Sequence, residues 1–141
     1  MKTLPQFRLD LPDHWNDQTA YYFVGPEVDG VPHMLTVTLD RQLQDHDLKT
    51  FARRQIDLQI EATGGLEVLK DKRNTLSSGK EVYEFVGRWI PSDDHVIFKK
   101  TVYLIVDGIG FTFAADFSKH SLKTVGVEMM KIVDSLISVK D

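Results

Sequence analysis

The run from Glu81 to Ala115 constrains this chain most, because Asp107-Gly108 stands between two long β-prone segments. A type I′ turn needs positive φ at both central residues, and Asp-Gly reaches that conformation at little steric cost. The spacing predicts strands over Val96–Val106 and Ile109–Ala115, joined as a hairpin. A further strand, Glu81–Ile90, precedes them through the polar turn Pro91-Ser92-Asp93-Asp94, giving an antiparallel meander. Along the first strand Tyr83, Phe85, Gly87 and Trp89 alternate with Glu84, Val86, Arg88 and Ile90; along the second, Val102, Leu104 and Val106 alternate with Thr101, Tyr103 and Ile105. Neither face is polar enough to be simply solvated. One is expected under helices, and the other under a partner.

The flanking segments supply the remaining layers. Phe7, Leu9 and Leu11 alternate with polar residues and stop at Pro12, which predicts a short first strand. Gln18–Val24 predicts a second, and Met34–Leu39 a third after Gly25-Pro26 and Asp29-Gly30. From Asp47 to Ala62 the period changes: Leu48, Phe51, Ala52, Ile56 and Ile60 recur at helical spacing, with Asp47 as N-cap and Gly64-Gly65 as the stop. Leu66–Lys70 begins a fourth strand, and Ser77-Ser78-Gly79-Lys80 turns into the meander. The last element is a helix capped by Ser118, with Leu122, Val125, Gly126, Met129, Ile132, Val133 and Leu136 on one stripe. Strands grouped in runs predict an α+β fold: a twisted antiparallel sheet of six or seven strands with two helices packed on one face.

Length and charge narrow the class. The 141 residues suit a single domain, 1–141, able to bury a core without staples. A net charge of -4 argues against nucleic acid as partner, since phosphate neutralisation dominates that binding. With no cysteine there is no disulfide, thiolate nucleophile or Cys-ligated metal. The N-terminus lacks the apolar core of a secretory signal, and no apolar run reaches the roughly 18 residues of a membrane span. The expectation is a cytoplasmic protein with no stable membrane insertion.

Few residues suggest chemistry. His14, His33, His46, His95 and His120 fall in turns or at helix starts without ligand spacing, so no metal or cofactor is expected. Asp45-His46-Asp47 fits the start of a helix, where carboxylates favour the macrodipole. Asp93-Asp94-His95 fits a turn, Ser77-Ser78 lacks a nucleophile elbow, and Gly64-Gly65 follows a helix instead of opening one. The one polar constellation for an enzyme is Glu84 and Arg88 with Tyr103; a cross-strand ion pair is the commoner origin of such charges. No enzymatic activity is expected. Tyr22, Val86, Ile90, Tyr103 and Ile105 projecting from the helix-free face would form an apolar patch that needs a dimer partner or a ligand.

The entry Leu11-Pro-Asp-His-Trp-Asn-Asp-Gln18, the segment Thr36-Val-Thr-Leu-Asp-Arg41 before a helix with Phe51-Ala-Arg-Arg-Gln55, the run Val82–Trp89 and the closing helix resemble the DcrB-related proteins of bacteria over nearly the whole chain. Within that family the chain looks most like the Eag-type chaperones of type VI secretion. The resemblance implies a PsbP-like fold and a small cytoplasmic homodimer that holds the hydrophobic N-terminal segment of a secreted effector in a groove on the sheet. The face opposite the helices would then bind the client through Tyr22, Thr36, Thr38, Glu84, Val86, Arg88, Ile90, Thr101, Tyr103 and Ile105. A small-ligand-binding or regulatory module using the same concavity is the alternative.

Overall fold

A computed structural model of the chain describes residues 8–15, 18–28, 30–44, 46–92 and 95–137. Six strands form one antiparallel sheet: β1 (Ala20–Val28), β2 (Val31–Asp40), β3 (Glu67–Thr75), β4 (Glu81–Ser92), β5 (His95–Val106) and β6 (Ile109–Phe117). Helix α1 (Leu48–Ala62) follows β2; α2 (Lys119–Leu122) and α3 (Val125–Asp134) follow β6. The strand order is β1-β2-β6-β5-β4-β3, so β1 and β3 are the edges. Residues 8–11 are not a strand, and Phe7 lies outside the described residues. The Asp107-Gly108 turn forms as expected, with φ of 52° and 74°, and Val106 pairs with Ile109.

The expected α+β class holds, but the helices do not share a face. Along β4 and β5, Tyr83, Phe85 and Tyr103 pack with Leu48, Phe51, Ala52 and Ile56 of α1. The alternate residues Val82, Val102 and Leu104 pack with Met129 and Val133 of α3, together with Val37, Leu39, Phe113 and Phe117. Side chains alternate across a strand, so these clusters lie on opposite sides of the sheet, and α1 and α3 sandwich it. Two apolar faces need two covers, and the chain supplies both itself.

Helices α1 and α2 begin on side-chain caps, and α3 does not. Asp47 accepts hydrogen bonds from the Thr50 amide and hydroxyl, which hold its carboxyl below the ordinary range. Ser118 and Ser121 form a reciprocal capping box at α2. The single C-terminal helix predicted from sequence is bent instead. At Lys123 and Thr124 the backbone bonds run to residues three back, a tighter 3₁₀-type turn that separates α2 from α3.

His33 is another departure from the sequence reading, since it is buried in β2 and not in a turn. Its Nδ1 donates to the Pro26 carbonyl at 3.1 Å, and its Nε2 accepts from Ser121 Oγ at 2.9 Å. This fixes the tautomer and ties the β1–β2 hairpin to α2.

Candidate functional site

Strand pairing shows what α1 leaves open. On its side of the sheet, one row across the strands reads Phe85, Thr101, Ala114, Thr36, Tyr22, and the next reads Tyr83, Tyr103, Thr112, Thr38, Ala20. Helix α1 packs on β4 and β5 and covers the aromatic end of both rows. Past it the residues become small, and the rows end on edge strand β1, where Tyr22 is 66% exposed. One row further along, Val24 pairs with Met34, and both are exposed. The result is a trough with a floor of threonine and alanine between α1 and a wall of Tyr22, Val24 and Met34.

It widens where β2 and β6 part company. Their pairing runs from Asp40↔Gly110 to Thr36↔Ala114 and goes no further, although both strands continue. The opening is a cavity of about 620 Å³ lined by Pro32, Met34, Thr36, Ile97, Ala114 and Phe117, among others. A second cavity of about 400 Å³ continues past Thr38 toward the start of α1 and is polar, lined by Gln18, Asp40, Gln42 and Gln55 among others. The trough therefore grades from apolar to polar along its length.

The ten residues assigned to one surface divide between two. Tyr22, Thr36 and Thr38 lie in the open trough. Thr101, Tyr103 and Ile105 are on the same face but belong to its covered end. Thr101 is 4% exposed and Tyr103 2%, and Ile105 packs against the α1 cluster. Burial pushes the Tyr103 phenol well above its usual value.

Glu84, Val86 and Arg88 face the other way, toward α3. Glu84 pairs with Val102, and its buried carboxylate accepts from Lys70 at 3.1 Å and Asn74 at 3.0 Å. Beside it on the same face, Lys100 is held below its normal value mainly by desolvation. Val86 is buried, and Arg88 pairs with Glu67 at 3.2 Å. Both charges therefore make cross-strand ion pairs to β3. Tyr103 is on the opposite face from Glu84 and Arg88, so the constellation considered for an enzyme does not assemble.

A β-bulge explains the misassignment. Ser92 pairs with His95, but Trp89 pairs with Ile97, so Ile90 and Pro91 stand against one residue of β5. Counting inward from the turn without that extra residue puts Glu84 beside Tyr103; with it, Glu84 lies beside Val102. Ile90 sits in the bulge, 51% exposed. The trough residues that sequence reasoning missed are Val24, Met34, Thr112 and Ala114. Period-2 continuation from Tyr22 and Thr36 reaches the first two, and continuation through the Asp107-Gly108 turn reaches the others.

The motif Pro12–Trp15 is an exposed turn in which the Trp15 amide donates to the Pro12 carbonyl, and Trp15 is 61% exposed. No helix among the described residues is long and apolar enough to cross a membrane.

Comparison with known proteins bears on family and fold. No functionally curated protein matches the chain. Among solved structures, the crystal structure of PA94 from Pseudomonas aeruginosa, a protein of unknown function put forward as a regulator, superposes with a TM-score of 0.72 at 14% identity. That similarity covers 94% of this chain and 92% of the other, and it is a likeness of fold. The DcrB family model matches residues 8–121, most of the chain and all six strands. The chain belongs to the DcrB family.

Proposed function

We propose that this protein is a non-enzymatic cytoplasmic adaptor that holds an apolar helical segment of a partner protein in the open trough. The carrying observation is the strip of sheet beside α1 that no other described helix covers. It spans β1, β2 and β6, about 10 Å between the outer two at the usual strand spacing, and a helix with its side chains is about 10–12 Å across. A floor of small residues beside exposed Tyr22, Val24 and Met34 suits a bulky apolar occupant. The sequence resemblance to Eag-type chaperones supports the finer reading, in which the segment is the hydrophobic N-terminal part of a type VI secretion effector.

A homodimer belongs to the same proposal, and the two sheet edges favour one route to it. Edge β3 carries Lys70, Asp71, Lys72 and Arg73 in succession, which discourages pairing, whereas Ala20–Val24 of edge β1 carries no charge. Pairing of β1 with a second copy would join two troughs. Light scattering should then give twice the chain mass, falling to one when Ala20, whose amide points off the sheet edge, is replaced by proline.

The binding test is direct. A soluble carrier fused to an apolar segment of about 20 residues should bind the protein. Met34→Glu should abolish binding, while Val127→Glu, on exposed α3, should not. Equal binding by both variants would sink the proposal. The cavity volume also falls within the range of small-molecule sites. Native mass spectrometry that retains a small molecule, with no binding of the fusion, would favour that second reading.

A further inference from the structure

The trough floor carries hydroxyl groups that bond to no other described residue. Thr38 of β2 and Thr112 of β6 stand directly opposite each other, and Thr36 is two residues along on the same face. All three are half-buried. Among the described residues none of their hydroxyls has a hydrogen-bond partner, although Thr50 and Thr124, at helix starts, do. Among the described residues no buried side-chain polar atom lacks a partner, so these hydroxyls are reachable from the trough. A solvated hydroxyl costs nothing while the trough is open. Once an apolar helix lies over it, water is displaced and each unmet hydroxyl carries a desolvation penalty.

From this we infer that the trough selects helices bearing a polar carboxamide side chain, Asn or Gln, among their apolar residues, with Thr38 and Thr112 as the recognition pair. The inference rests on the helix-binding reading above. Opposed β-carbons in an antiparallel pair are about 5 Å apart, which lets one carboxamide reach both hydroxyls. A threonine hydroxyl both donates and accepts, and a carboxamide offers an acceptor oxygen and a donor nitrogen. One threonine donates to the amide oxygen while the other accepts from the amide nitrogen, and Thr36 provides the same chemistry one row along. An all-aliphatic helix leaves the pair unmet. A charged side chain would bring its own desolvation cost to Thr36, Thr38, Thr112 and Ala114, none of which carries a charge.

The test uses the full chain and two carrier fusions with helical segments of about 20 residues, one of Leu and Ala alone and one with a single central Gln. The wild type should bind the Gln segment about fivefold more tightly, the effect of one or two net hydrogen bonds. Thr38→Val with Thr112→Val keeps the β-branched shape and should erase that preference while binding the Leu/Ala segment at least as well. Loss of affinity for both segments in the double variant would mark a merely structural role and overturn the inference. So would equal wild-type affinities, or a preference that survives the double substitution, and each of these leaves helix binding in place. Failure of the wild type to bind either segment would overturn helix binding itself. Thermal unfolding of the double variant close to that of the wild type establishes that it is folded.

Discussion

Phe51 of α1 meets Tyr103 of β5 edge to face, with ring centroids 6.0 Å apart and planes at 90°. This contact marks the border between core and working surface. On its β4 side the sheet face is sealed by α1. On its β6 side the next residue across is Thr112, and the trough begins.

The border depends on a residue without a side chain. A β-carbon on Gly110 would come within 2.7 Å of Phe51 Cζ, and Phe51 is itself only 5% exposed. Gly110→Ala should therefore lift α1 and destabilise the fold by about 1–3 kcal/mol. Gly64→Ala, where nothing lies within 4 Å, should change stability far less. Urea unfolding midpoints of the two variants check the contrast.

A polar clamp ties the same half of α1 to β3. Asp71 accepts from Arg53 at 2.7 Å and from the Tyr83 hydroxyl. Desolvation works to raise the Asp71 carboxyl, but those hydrogen bonds outweigh it and hold the group below its ordinary value. A depressed folded-state value means a contribution that is present above the unfolded value near 4 and lost as pH falls through the folded one. Asp71→Asn should cost about 1–2 kcal/mol at neutral pH, reduced from a fully buried pair because Arg53 is 37% exposed. The difference from wild type should shrink steadily below pH 4 in acid unfolding curves.

Glu84 gives a control for the assignment of faces. It is 2% exposed on the α3 side, bonded to Lys70 and Asn74. Glu84→Ala should destabilise by about 2–4 kcal/mol, because it deletes a buried ion pair and leaves a gap. Affinity for an apolar segment, measured below the melting transition, should be unchanged. A binding defect in a folded Glu84→Gln variant would place the working surface on the wrong side of the sheet.

Legibility from sequence followed the range of the interactions involved. The Asp107-Gly108 turn, the Asp47 cap and the buried Leu48, Phe51, Ala52 and Ile56 of α1 are local patterns, and each appears where the residues predict, although Ile60 of the same stripe is exposed. What failed at the candidate site was long-range. The bulge at Ile90-Pro91 shifts β4 against β5 by one residue, which no local pattern announces, and it moved Glu84, Val86 and Arg88 to the other face. A similar bulge at Gly25-Pro26 faces His33, whose burial against Ser121 depends on a partner 88 residues away. The trough was half legible for the same reason: Tyr22, Thr36 and Thr38 follow from alternation within one hairpin, whereas Thr112 and Ala114 join them only through the β2–β6 pairing.

The absence of cysteine makes a direct measurement simple. Single-cysteine variants Met34→Cys in the trough and Val127→Cys on α3 would each carry an environment-sensitive fluorophore and be titrated with a carrier-fused apolar helix. Occupancy of the trough predicts a saturable blue shift at position 34 and none at 127. A shift at 127 alone, or saturable binding of the helix with no change at 34, would contradict the account.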